Sequence, residues 1–229
     1  MFKKLKKYIL LSYKLTKTTP LYGNSKPIDI IVDKSIKNGD TANTCILNFH
    51  NHSGTHIDAP KHFCDNGKTI TDYSLNELIF RFPIIINCPK SAGQMIDVKD
   101  IIGYEKELKK CDLLLLKTGF DRYRNKEIYR LDNPGIAPEL AKYLRSKFQN
   151  IRCLGIDTLS VSSYVNRELG RKTHKILLQK KGFKGEPMLI IEDMNLSNDE
   201  IMKLKTVIVA PLMIETIDGS PCMIIGEIK

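Results

Sequence analysis

The sequence has no tryptophan, no CxxC pair, no glycine-rich phosphate loop and no internal repeat. Its six cysteines, Cys45, Cys64, Cys88, Cys111, Cys153 and Cys222, are dispersed. That spacing excludes a zinc ribbon and predicts reduced, mostly buried thiols of a cytoplasmic protein, Cys64 included. No apolar run approaches membrane-spanning length. The stretch Tyr8-Ile9-Leu10-Leu11 is too short for a signal-peptide core and precedes no small-residue cleavage site, so no membrane partner is expected. Basic residues outnumber acidic ones 36 to 26, giving a net charge of +10, but the lysines are scattered. The densest run, Lys3-Lys4-Leu5-Lys6-Lys7, is followed by no basic stripe interleaved with aromatics, and no nucleic-acid partner is expected.

What is present suits an ordinary globular protein: 229 residues, 42% hydrophobic and 27% charged. No Gly/Ser/Pro-rich linker divides them, so residues 1–229 read as one domain. Short β-branched, apolar segments predict strands at residues 8–13, 28–32, 44–49, 83–87, 112–117, 151–156, 188–192, 206–209 and 222–227. Helices are expected at 98–102 behind the cap Asp97, at 138–148 and at 167–180. A capping box from Ser197 to Glu200 predicts one more short helix. The order is strand-rich mixed α/β rather than a regular βαβ alternation.

Four of the five histidines lie within thirteen residues, in His50-Asn51-His52-Ser53-Gly54-Thr55-His56-Ile57-Asp58-Ala59-Pro60-Lys61-His62. Imidazoles crowded beside a carboxylate are what a divalent metal requires. In an extended chain His52, His56, Asp58 and His62 share one face, with Ser53, Thr55, Ile57 and Ala59 on the other. A straight strand would hold His52 and His56 about 13 Å apart at roughly 3.3 Å per residue, too far for nitrogens that must each lie roughly 2.0–2.2 Å from one ion. Gly54 is where the chain can bend. A helix would turn Asp58 about 200° from His56 and would be spoiled by Pro60. The expectation is a kinked strand or loop carrying three ligands and a fourth, unligated histidine. His50, N-terminal to His52, is read as a surface or supporting residue, and Asp157 as a turn cap or an acceptor that orients a ligand.

The run His52-Ser53-Gly54-Thr55-His56-Ile57-Asp58-Ala59-Pro60-Lys61-His62 resembles the HxGTHxDxPxH signature of the cyclase-type metal-dependent hydrolases, the family of bacterial kynurenine formamidase and isatin hydrolase. Other pieces agree in order: Leu114-Leu115-Leu116-Lys117-Thr118-Gly119, Asn133-Pro134-Gly135-Ile136, Gly155-Ile156-Asp157-Thr158-Leu159-Ser160, Ala210-Pro211-Leu212 and Asp218-Gly219-Ser220-Pro221. The resemblance implies metal-ligand roles for His52, His56 and Asp58, a proton-shuttle role for His62, and completion of a two-metal site by His174 and Glu192. Between these two the chain carries the insert Lys180-Lys181-Gly182-Phe183-Lys184-Gly185-Glu186-Pro187, longer than the usual link, which makes Glu186 a competitor for the second ion. Pro20-Leu21-Tyr22-Gly23 resembles the family's substrate-side loop, without the tryptophan that some aryl-formamide hydrolases carry there. The implied fold is α/β, a single compact domain with a mixed, partly barrel-like β-sheet flanked by helices.

The expected function is hydrolysis of a small formamide, cyclic amide or related acyl compound at a C–N bond other than a peptide bond. One or two ions of Zn²⁺ or Mn²⁺ would assist, with His62 exchanging the proton. The alternatives are a metal-dependent lyase or cyclase acting on a small carbonyl compound, and a non-catalytic metal- or ligand-binding protein. A small-molecule substrate and a homodimeric or homotetrameric assembly are expected.

Overall fold

Leu113–Lys117 is a five-residue run whose four leucines are all fully buried. A strand that is apolar on both faces belongs in the middle of a covered sheet, and each buried leucine contributes about 1.5–3 kcal/mol. In the computed structural model, which describes residues 6–23 and 25–228, that strand is β8. The others are β1 (Lys7–Leu10), β2 (Asp29–Lys34), β3 (Thr44–Asn48), β4 (His56–Asp58), β5 (Ile79–Phe80), β6 (Pro83–Asn87), β7 (Met95–Ile96), β9 (Gly135–Ile136), β10 (Cys153–Ile156), β11 (Leu189–Glu192), β12 (Leu204–Pro211) and β13 (Gly219–Ile228). Helices are α1 (Glu105–Leu108), α2 (Glu127–Leu131), α3 (Pro138–Lys147) and α4 (Arg167–Leu178).

Nine strands form one mixed sheet in the order β5-β12-β13-β4-β11-β10-β8-β6, with β1 added against β13. β6, β8, β10 and β11 run parallel, whereas β4, β12 and β13 pair antiparallel. The two ends of this path, β5 and β6, are joined by only Arg81 and Phe82. Three peptide links span at most about 11 Å, so the sheet curls until its edges nearly meet. The Asp112 carboxylate accepts from both joint amides, Arg81 N at 2.8 Å and Phe82 N at 2.9 Å. The fold is α/β with a nearly closed, barrel-like sheet flanked by helices.

Strand alternation sorts the side chains into two cores. Ile57, Leu113, Leu115, Leu189 and Ile191 point into the barrel with residues of β12 and β13. Leu114, Leu116, Leu154 and Ile190 point outward onto Leu140 and Leu144 of α3 and Leu177 and Leu178 of α4. His56 and Asp58 flank Ile57, so they emerge on the helix-covered side, and so does Glu192.

All nine expected strands are present, with ends shifted by at most three residues. The expected helices at 138–148 and 167–180 are α3 and α4. The one expected at 98–102 is only a 3-10 turn, Val98–Asp100, capped by Asp97 and followed by Gly103 in the left-handed region at φ 98. The capping box from Ser197 does not form: Asn198 caps Asp199–Lys203 by accepting from Glu200 N, and the Ser197 hydroxyl donates to Asn195 Oδ1. Of the basic run, Lys3, Lys4 and Leu5 lie outside the described residues. Among the described residues no helix is long and apolar enough to cross a membrane.

Candidate metal centre

Gly54 makes the bend that the histidine spacing demanded. It sits at φ 62, and a Cβ there would approach Leu15 Cδ2 to 2.5 Å, so both backbone sign and space favour glycine. Beyond the bend the chain enters β4, held between β11 and β13 with Glu192 opposite His56 and Gly219 opposite Asp58. Pro60 ends the strand by starting the 3-10 turn Pro60–His62, which lifts His62 back over the sheet. Ser53, Thr55, Ile57 and Ala59 are all buried on the other side, as the alternation predicts.

The structure brings His52, His56, Asp58, His62, His174 and Glu192 together. His52 Nδ1 is 2.8 Å from Asp58 Oδ1, and His56 Nε2 is 3.4 Å from that oxygen and 3.3 Å from Glu192 Oε2. His174 Nε2 lies 3.4 Å from Glu192 Oε1 and 3.8 Å from Asp58 Oδ2. Ligand atoms of His52, His56 and Asp58 fall within 4.8 Å of one another, as do those of Asp58, His62 and His174. His62 is therefore near enough to ligate as well as to shuttle.

The donor set fits a divalent cation. Asp58 is buried, yet its Oδ2 has no hydrogen-bond partner among the described residues, and an orphaned buried carboxylate oxygen is costly unless a cation meets it. The outer nitrogens of two imidazoles are already occupied: His56 Nδ1 is 2.8 Å from Gly54 O, and His174 Nδ1 is 3.0 Å from Gly170 O. This directs both Nε2 atoms inward, the arrangement in which metal-binding histidines are held. Ser160 Oγ and Val161 N donate to Glu192 Oε1 at 2.8 and 2.7 Å.

Electrostatics tell the same story. Burial alone would lower the pKa of His52, but Asp58 and Asp218 outweigh it and hold the imidazole up to about 10. Burial likewise opposes ionisation of Glu192, and bonds from His174 and His56 overcome it, keeping the carboxyl well below its usual range. The pocket is organised to hold positive charge next to buried carboxylates.

Asp218 is the residue that sequence reasoning missed. Its Oδ2 lies 3.0 Å from His52 Nε2 and 2.6 Å from His62 Nδ1, and its Oδ1 accepts from Asn51 Nδ2 at 2.7 Å. Bonds from His52 and His62 hold its carboxyl well below the usual range. The only signal was its place in Asp218-Gly219-Ser220-Pro221. Glu186 is not in the site: it is exposed and pairs with Lys180. The insert leaves His174 in place because α4 has already ended at Leu178, where Arg145 Nη1 donates to Leu177 O at 2.8 Å. Asp157 caps the turn after β8, accepting from Thr118 N, Thr118 Oγ1 and Gly119 N. His50 is exposed and apart from the cluster. Cys64 is half-buried outside the site, and all six cysteines are unbridged.

The site opens into a cavity of about 330 Å³ walled by Tyr22, Phe63 and Leu159, with Arg167 and Arg171 of α4 along one side. Phe63 stacks on His174 and meets His62 edge-on, at ring separations of 4.7 and 4.9 Å.

The family model Cyclase, described as "Putative cyclase", matches residues 9–163, more than half of the chain. The chain belongs to the cyclase family. An uncharacterized protein of Methanocaldococcus jannaschii is 32% identical over 171 residues, 74% of this chain and 75% of that one. The kynurenine formamidase of Geobacillus thermodenitrificans is 28% identical over 216 residues, 93% and 94% of the two chains. Isatin hydrolase A from Labrenzia aggregata, solved with benzyl benzoate bound, superposes with a TM-score of 0.80 at 19% identity, over 97% of this chain and 94% of that one. That similarity extends the cyclase-family fold past residue 163 to the segments carrying His174, Glu192 and Asp218.

Proposed function

We propose that this cyclase-family chain, one domain over residues 1–229, is a metal-dependent hydrolase of a small formamide, cyclic amide or related acyl compound, cleaving a C–N bond other than a peptide bond. The observation that carries this reading is the convergence of four imidazoles on Asp58 and Glu192, with Asp58 Oδ2 buried and unpaired among the described residues. Similarity to kynurenine formamidases over nearly the whole chain supports the same reaction class.

His52, His56 and Asp58 would hold one divalent ion, Zn²⁺ or Mn²⁺, and Asp58, His174 and Glu192 a second. Such an ion acts as a Lewis acid and lowers the pKa of its water to about 7. The remaining work falls to the chain. Asp218 engages His62 Nδ1, leaving Nε2 as the base that takes the proton of the attacking water and returns it to the leaving nitrogen as the C–N bond breaks. Phe63 fixes the rings of His62 and His174 by packing on both. Tyr22 and Leu159 supply apolar walls that keep the acyl group against the base.

A cytoplasmic homodimer or homotetramer completes the proposal. Four of the six free cysteines are buried, in keeping with a reducing compartment. The β2–β3 ribbon stands off the main sheet and exposes Ile31, Val32, Ile46 and Leu47, apolar surface that a second copy would cover.

The test is metal analysis of protein purified without chelator, followed by a screen of N-formyl and cyclic amides. Stoichiometric zinc or manganese, and release of formate or a ring-opened acid that chelator abolishes, are expected. A dehydrated product would select a lyase, and bound metal without turnover of any compound would select a binding protein.

A further inference from the structure

Helix α4 delivers His174 to the metal centre, and the same helix face carries two arginines. Positions 167, 171, 174 and 178 follow the i, i+4, i+7, i+11 spacing of one stripe. His174 and Leu178 are buried, whereas Arg167 and Arg171 are exposed and line the cavity that contains His52, His62 and Glu192. Neither guanidinium has a carboxylate within ion-pair distance among the described residues. Arg124, Arg130 and Arg152 are each paired, and Arg81, Arg122 and Arg145, which lack such a partner as well, lie outside this cavity.

The orientation of Arg167 comes from stacking: its guanidinium carbon lies 3.8 Å over the Tyr164 ring, which meets Tyr22 edge-on at 5.5 Å. Its planar face is thereby occupied while its N–H fork is left for a ligand. Both guanidiniums pull down the pKa of the Tyr22 phenol against the larger effect of burial, so their field reaches the cavity wall. Two unpaired forks beside an apolar slot are suited to a carboxylate, which arginine binds bidentately.

We propose that Arg167 and Arg171 form an anion subsite, and that the substrate is an acyl compound bearing a carboxylate remote from the bond hydrolysed. This rests on the hydrolase reading above. At about 1.5 Å of rise per residue, Arg171 lies about 4.5 Å and Arg167 about 10.5 Å along the helix axis from His174. A carboxylate reached by both is several bonds from the carbonyl, across the slot between Tyr22 and Phe63.

Three matched probes test the subsite: formanilide, 4-formamidobenzoate and the methyl ester of the latter. Each is used for turnover and for calorimetric binding, on the metal-loaded protein and after chelation. The carboxylate is expected to improve KM and Kd about ten- to a hundredfold over the ester, the value of charge-assisted bonds. In the Arg167→Gln/Arg171→Gln double variant that ratio should collapse towards one, and Arg171→Lys should restore only part of it. Glutamine suits an exposed helix position, and an unchanged circular dichroism spectrum verifies folding. A carboxylate preference that survives in the double variant, or that vanishes on chelation alone, overturns the subsite. Turnover of all three probes with no preference also overturns it while leaving the hydrolase reading intact. Arginine-dependent binding without turnover of any probe upholds the subsite and overturns the hydrolase reading instead.

Discussion

His62 Nδ1 lies 2.6 Å from Asp218 Oδ2, although 156 positions separate the two residues in the chain. The same oxygen is 3.0 Å from His52 Nε2, so one carboxylate orients both the proposed shuttle and a proposed ligand. An asparagine at 218 keeps the shape but loses the charge, and with its one acceptor oxygen turned to the two imidazoles its amide nitrogen meets the Asn51 donor. Asp218→Asn is expected to lower kcat about 10–100-fold, the usual effect of losing a group that orients a site histidine, with metal content largely kept. Full activity in this variant would remove Asp218 from the relay.

If His62 exchanges protons and does not ligate, His62→Ala should retain the ion and lose about 10²–10⁴-fold in rate. Metal content and turnover are to be measured on one preparation, because His62 also lies within ligand range of Asp58 and His174. Loss of metal along with activity would make it a ligand.

Asp58→Ala should bind neither ion well, since Asp58 serves both proposed sites, and His52→Ala should lose the first ion, since it removes a direct ligand. His174→Ala and Glu192→Ala should chiefly weaken the second ion. Titration with Zn²⁺ or Mn²⁺ distinguishes the two classes. Identical stoichiometry in native protein, His174→Ala and Glu192→Ala would reduce the centre to one metal.

Gly219 lies directly behind His52, and a Cβ placed on it would overlap the imidazole at Cε1. The ring must swing away from Asp58 and Asp218 to make room. Gly219→Ala should therefore lose metal affinity at least tenfold, a scale typical of losing support for a ligand, while keeping the fold. Wild-type affinity would show that the ring can yield without leaving the ion.

Asp157 gives a pH prediction away from the metal. Burial pushes its carboxyl up to about 6, against the bonds it accepts from Thr118 and Gly119. A folded-state value above the unfolded one means that the protonated form favours the fold at acid pH, and that this contribution is lost as pH rises from about 4 to about 6. Relative to Asp157→Asn, which cannot ionise, the wild-type protein should lose on the order of 3 kcal/mol across that window. Chemical unfolding of both at pH 4, 5, 6 and 7 measures the difference, and a gap that stays constant refutes the assignment.

The parts of the molecule legible in the sequence are those whose information is local. The run from His52 to His62 carries its own bend, alternation and stop, so the roles of Gly54, Ile57 and Pro60 need no knowledge of the partner strands. Leu113 to Leu116 reveal themselves as a central strand by being apolar on both faces. β5, β7 and β9 are two residues long, too short for any alternation to register. Asp218 belongs to no periodic element, and its partners are set by where β13 docks on β4. Arg167 and Arg171 read as an ordinary solvated helix face, because nothing in their spacing tells which way α4 turns. The length of the insert before Glu192 does not tell where α4 ends, and it is the end at Leu178 that keeps His174 independent of it.

β4 is three residues long and lies at the middle of the sheet, bonded on both sides, with its outward residues in the proposed metal centre and Ile57 filling the barrel. A slip of one residue would exchange these sets, sending His56 and Asp58 into the core and Ile57 to the ligand positions. Strand register and cation binding are therefore coupled on this segment. An ion bridging β4 and β11 should slow amide hydrogen exchange at Ile57 and Ile191 far more than in α3, so the centre acts as a local fastener of the barrel as well as its reactive end.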